Sequence, residues 1–158
     1  MSTLEVKAIQ APSGYDLQMP AGSVLQVVNM TYSTTQSISS TSWADTGLTL
    51  AITPKFTSSK IRIDYQFYNM NIGSSNAGIS FRITRNGGNL HSPNAGYGDY
   101  SGASGGFHWG RTGIAIDSPS STSALTYTIQ ARSYNTTAVT LNSSSEFEDV
   151  LILTEIAG

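Results

Sequence analysis

Apolar and polar residues alternate with a period of two along most of this chain, and each apolar run stops at a cluster of Ser, Thr, Asn, Gly or Pro. From Lys60 onward, Ile61, Ile63, Tyr65 and Phe67 fall on one side of an extended segment, and Arg62, Asp64 and Gln66 fall on the other. Ile79, Phe81 and Ile83 repeat the pattern against Ser80, Arg82 and Thr84, and Leu125, Tyr127, Ile129 and Ala131 repeat it again. Further strands are predicted over Val24–Tyr32, Trp43–Ile52, Phe107–Ile116, Ala138–Leu141 and Asp149–Ile156. Between them, Thr53–Ser59, Gly73–Asn76 and Asp117–Ser121 are turns. Asn86-Gly87-Gly88-Asn89 is a hairpin signal, because Gly and Asn tolerate the positive φ of tight turns. The stretch after Tyr32, from Ser33 to Thr41, reads as a Ser/Thr-rich loop. No segment holds a 3.6-residue apolar period over helical length. Eight to ten short strands in 158 residues predict an all-β protein, a β-sandwich of the jelly-roll kind.

The last strand departs from simple alternation. Val150-Leu151-Ile152-Leu153 is apolar on both faces, so it is expected either at the centre of a sheet or against a second subunit. The first twenty residues also stand apart: Leu4, Val6, Ile9, Tyr15 and Leu17 are spread over a stretch broken by Pro12, Gly14 and Pro20. Residues 1–20 are too short to fold alone. They read as an edge strand with a connector, or as an arm that docks on a neighbouring subunit, ahead of one sandwich domain at 21–158.

Composition narrows the function. Only 11% of residues are charged, against about a quarter in ordinary soluble domains, so neutral hydroxyls and amides cover the surface. Such a surface repels neighbours weakly and suits a part that packs against others. A formal net charge of −2 provides no basic field for nucleic acid and no polybasic patch for a membrane. The absence of cysteine fits synthesis in a reducing cytoplasm.

Catalytic chemistry is hard to place. His91, Asp99 and His108 match no metal-ligand spacing, and no serine lies in a Gly-x-Ser-x-Gly elbow. Glu146, Glu148 and Asp149 read as a solvated turn rather than a carboxylate pair. No enzyme activity, metal or cofactor is expected. The glycine-rich excursion with Tyr97, Tyr100, Phe107, His108 and Trp109 is the candidate contact loop, since aromatic faces on a pliant backbone suit packing onto a subunit, a glycan, or the sandwich itself.

Three stretches occur together: Pro20-Ala21-Gly22-Ser23-Val24-Leu25-Gln26-Val27-Val28; Asp45-Thr46-Gly47-Leu48-Thr49-Leu50-Ala51-Ile52-Thr53-Pro54 with Ser58-Ser59-Lys60-Ile61; and Asp117-Ser118-Pro119 with Thr126-Tyr127-Thr128 and a terminal Glu155-Ile156-Ala157-Gly158. From about Pro20 onward the chain thereby resembles a family of small virion proteins and fibre-tip domains of tailed, often cyanobacterial, phages. The resemblance implies a jelly roll like that of the tumour necrosis factor family, assembled as a homotrimer, with no catalytic residues. It leaves two roles open: a decoration or cement protein on the major capsid protein, or a tip that grips a tail-fibre shaft protein and reads host glycans. The chain as given has no shaft-forming repeat, which favours the capsid surface. In that reading Tyr65, Phe67, Tyr68, Leu151 and Leu153 are candidate trimer contacts, and residues 1–20 are a candidate capsid-docking arm.

Overall fold

A computed structural model describes residues 19–91, 99–102, 106–144 and 146–158. The candidate arm residues Leu4, Val6, Ile9, Tyr15 and Leu17, and Tyr97 of the contact loop, lie outside these. Among the described residues the structure is strands and turns: β1 (Val24–Tyr32), β2 (Gln36–Ile38), β3 (Ala44–Ile52), β4 (Lys60–Ile72), β5 (Ala77–Arg85), β6 (Gly88–His91), β7 (Asp99–Ser101), β8 (Phe107–Asp117), β9 (Leu125–Ser133), β10 (Val139–Leu141) and β11 (Asp149–Ile156).

All the strand pairings are antiparallel, in two sheets. In the first, β1 pairs β11, β2 pairs β10, and both β11 and β10 pair one edge of β4, whose other edge carries β8. In the second, β3 pairs β9, β9 pairs β5, and β6 and β7 share the far edge of β5. Thus β1–β2, β6–β7 and β10–β11 are each one course broken in two. Counted that way, the first sheet holds the first, eighth, third and sixth courses, and the second holds the second, seventh, fourth and fifth. That order is the jelly roll. The short β2 falls inside the stretch that the sequence presents as loop; a three-residue strand with one inward Ile38 is too brief to show a period.

Alternation places the core correctly. Ile61, Ile63, Tyr65, Phe67, Ile79, Phe81, Ile83, Leu125, Tyr127 and Ile129 all point between the sheets. Phe67 of the first sheet stacks on Phe81 of the second at 4.8 Å between ring centres, and Tyr65 meets Phe67 edge-on at 5.8 Å. Each fully buried Ile, Leu or Phe adds about 2 kcal/mol of transfer free energy. The Asn86-Gly87 turn has φ of 50° and 78°, as a two-residue type I′ hairpin requires.

Two expectations change here. Tyr65, Phe67, Leu151 and Leu153 fill the chain's own sandwich rather than a trimer axis; a one-face apolar stripe looks the same for either burial. Tyr68 alone of that set is exposed. Asp149 is not part of a solvated turn: it opens β11 and is 1% exposed, with its side chain turned inward in register with Leu151 and Leu153.

Parts of the stretches set out above meet at one pole, the end of β4 at Lys60. Gly22 N–H donates to the Ala157 carbonyl and Ala157 N–H to the Ser23 carbonyl, both at 2.8 Å. Glu155, fully buried, accepts from Ser59 Oγ (2.6 Å), Gln26 Nε2 (2.6 Å) and the Lys55 amide (2.7 Å). Burial alone would raise its pKa. The hydrogen bonds from Ser59, Gln26 and the backbone of Lys55 and Phe56 win, and hold the carboxyl below its ordinary value. A second motif cluster ties β5, β8 and β9: Asp117 accepts from Tyr127 Oη (2.7 Å) and from Arg85 (2.7 and 2.9 Å). In a third, Thr46 Oγ1 donates to the Ile129 carbonyl (2.8 Å), and Gly47, at φ +83°, lies under the Tyr32 ring where no side chain fits.

Candidate functional site

β4 runs the length of the sandwich and positions two surfaces. At its Ile72 end, opposite the pole of Gly22 and Ala157, the open edge between β7 and β8 forms a cleft of about 330 Å³ lined by Ile72, Asp99, Tyr100, Ser101, Phe107, His108 and Trp109. Of the candidate contact loop, the structure brings Tyr100, Phe107, His108 and Trp109 to the lining of this cleft. Their roles differ.

Trp109 lies on the inward side of β8 and packs against the core, while Phe107 is half-exposed at the rim. Tyr100 is committed to the outer side of the second sheet: its ring covers Gly78 and meets Tyr134 edge-on at 5.7 Å, and its hydroxyl donates to Asn76 Oδ1 at 2.9 Å. His108 is held on the outer side of β8. Its Nε2 accepts from Asn71 Nδ2 at 2.6 Å, which leaves Nδ1–H to donate to Asn69 Oδ1 at 2.8 Å. Both ring nitrogens are occupied, so His108 is poorly placed as a metal ligand. His91 lines a different cavity, with Tyr65, Phe81 and Gly113. Among the described residues no three His, Cys, Asp or Glu side chains gather to hold a metal.

The ion pair that joins the sheets here was not visible in the sequence. Arg111 of β8 donates to Asp99 Oδ1 of β7 at 3.3 Å. Burial pushes the Asp99 carboxyl above its usual range, against the pull of the Arg111 guanidinium. Asp99 Oδ2 and Trp109 Nε1 are both buried in the wall of the cleft, and the Trp109 indole N–H, like Arg111, favours the Asp99 carboxylate. A small ligand with hydroxyl groups and an apolar face would suit such a cleft.

The second surface is the outer face of the first sheet. Four strands set residues side by side there: Asn29, Ile152, Asp64 and Ile114 in one row, and Val27, Thr154, Arg62 and Ile116 in the next. Val24, Val27, Ile114 and Ile116 are each more than half exposed, and Val150, Ile152 and Ile156 are only partly covered. The charges in these two rows are those of the Arg62–Asp64 pair, held at 2.8 Å. The doubly apolar last strand is thus central, between β1 and β4, and also contributes to a surface. Sequence alternation called both of its faces apolar but could not assign either one.

No protein-family model matches the chain, and no curated protein matches it. Among solved structures it is similar to the VP2 subviral particle of infectious bursal disease virus, with 10% identity and a TM-score of 0.44 over 97% of this chain. The chain spans 42% of the length of that VP2 chain.

Proposed function

We propose that this chain is a structural protein of a virus particle: a homotrimer seated on the head of a tailed phage, where it acts as a decoration or cement protein bound to the major capsid protein. The outer face of the first sheet carries this reading. Four exposed Val and Ile side chains on this four-stranded face flank the Arg62–Asp64 pair, and exposed apolar surface of this kind marks a protein contact. The contact residues of the trimer are then Val27, Ile114, Ile116 and Ile152, with Tyr68 nearby, in place of the core residues that alternation alone singled out. A hydroxyl-rich, charge-poor surface supports the same reading, because few charges need be desolvated when copies meet. The sequence resemblance supplies the phage context, and residues 1–20 act as the docking arm.

Three experiments test it. Native mass spectrometry of the purified chain should give a trimer; a monomer at micromolar concentration overturns the assembly. Quantitative proteomics with immunogold labelling of virions should find hundreds of copies on the shell. Removal of residues 1–19 should leave a folded trimer that no longer binds heads.

The cleft at the Ile72 end favours a second reading, a fibre tip that reads host glycans. In that case a few dozen copies lie at the tail, and Trp109→Ala with Phe107→Ala abolishes host binding without changing head stability.

A further inference from the structure

The outer face of the second sheet holds a cluster unrelated to either surface above. Trp43, just before β3, lies beside β9, and two guanidinium carbons, those of Arg82 and Arg132, each sit 4.7 Å from the centre of its ring. The two cations are therefore at most twice that distance apart. Arg82 is oriented by a relay across three strands: its Nε donates to Gln130 Oε1 at 2.7 Å, and Gln130 Nε2 donates to Asp45 Oδ1 at 2.6 Å. Gln130 thus stands between Arg82 and the acid in its row. Neither arginine forms an ion pair among the described residues, whereas Arg62, Arg85 and Arg111 each do.

The chain has only eight Lys and Arg in all, so placing two guanidiniums, neither in an ion pair among the described residues, on one indole is a concentrated use of charge. Stacking on an aromatic face holds a guanidinium flat while leaving its edge N–H donors free. Two guanidiniums held on one ring bring together planar N–H donors of the kind that pair with the lone pairs of an oxyanion. Next to this cluster lie the Gln130 amide and, beyond it in the same row, the Asp45 carboxylate, with the Thr49–Thr128 hydroxyl pair in the neighbouring row. We propose that Trp43, Arg82 and Arg132 form a binding site for an oxyanion carried by a ligand, a carboxylate or a phosphate monoester, with Trp43 and Gln130 positioning the two arginines.

The indole N–H resonances of Trp43 and Trp109 in a nitrogen-15 labelled sample test this, with Trp43→Phe fixing the assignment. Galacturonate, inorganic phosphate and neutral galactose are titrated separately at constant ionic strength. The expected result is a saturable, millimolar shift of the Trp43 signal with an anionic probe and none with galactose. Tighter binding of galacturonate assigns a carboxylate source, and tighter binding of phosphate a phosphorylated one. Arg132→Gln should weaken binding at least tenfold, and Arg132→Lys should weaken it less, since charge is kept and the fork lost. No saturable shift with either anion overturns the site, as does an equal response to galactose. If Arg132→Gln fails to fold, unchanged affinity in Arg132→Lys overturns it.

Discussion

The Asp149 carboxylate accepts a hydrogen bond from the backbone N–H of Tyr68 at 3.0 Å, where β4 changes partners. β4 pairs β11 up to Gln66 and β10 from Asn71, with a bulge between Phe67 and Met70. At the bulge the Tyr68 amide has left the ladder, and an acid from the incoming strand takes it.

Burial raises the Asp149 pKa from 3.8 to about 6, against the hydrogen bond from Tyr68. The folded state therefore binds this proton more tightly than the unfolded chain. Its contribution to stability is fully present below about pH 4 and is lost as the pH rises through about 6, an effect on the order of 3 kcal/mol. Asp149→Asn keeps the acceptor and removes the titration. Thermal melts should show the variant matching the parent at pH 4 and exceeding it at pH 7.5; the same pH slope in both would disprove the assignment.

Glu155 works in the opposite direction. Its pKa is lowered in the fold, so its contribution is present above the unfolded value of 4.5 and disappears as the pH falls through the folded one. Glu155→Gln puts an NH2 group among donors from Ser59, Gln26 and Lys55, and should cost about 2–4 kcal/mol at neutral pH. Urea melts at pH 7 measure this. A loss under 1 kcal/mol would mean that the pole is held together by its backbone bonds alone.

Tyr65 lies flat over Gly113, its partner across the β4–β8 ladder, and a β-carbon there would overlap the ring. Gly113→Ala should displace Tyr65 from its edge contact with Phe67 and cost about 1–3 kcal/mol. Adding Tyr65→Leu should recover part of that loss, a coupling readable in a double-mutant cycle.

Ile114 and Ile116 separate folding from assembly. Both point away from the core, so Ile114→Glu with Ile116→Glu should leave the melting temperature of an isolated subunit within a few degrees of the parent. In the proposed trimer the same pair introduces six carboxylates at the contacts. Sedimentation velocity should then show monomer at concentrations where the parent is trimeric.

The sequence was most legible where one physical rule acts alone. Period-two burial located Ile79, Phe81, Ile83 and Tyr127 in the core without reference to any partner. The Asn86-Gly87 turn was readable because its positive φ values restrict residue choice locally. What could not be read depends on where distant strands meet. The Asp99–Arg111 pair joins strands of different sheets, and the Trp43 cluster draws on three elements. Asp149 and Glu155 look like ordinary strand-end acids until the fold buries them. Gly22, Ser59, Glu155 and Ala157, which lie in the stretches that carry the sequence resemblance, are fasteners of one pole, so those stretches speak to architecture before they speak to role.

Gly22 and Ala157 are hydrogen-bonded neighbours, so chain attached at either end of the domain leaves from the same side. The aromatic cleft opens at the far end of β4, whose thirteen residues span about 40 Å. The sandwich is in effect a rigid spacer with its tether at one tip and its open mouth at the other. Chain that continues from Gly22 or Ala157 starts at the tethered tip, a full strand length from anything bound in the cleft.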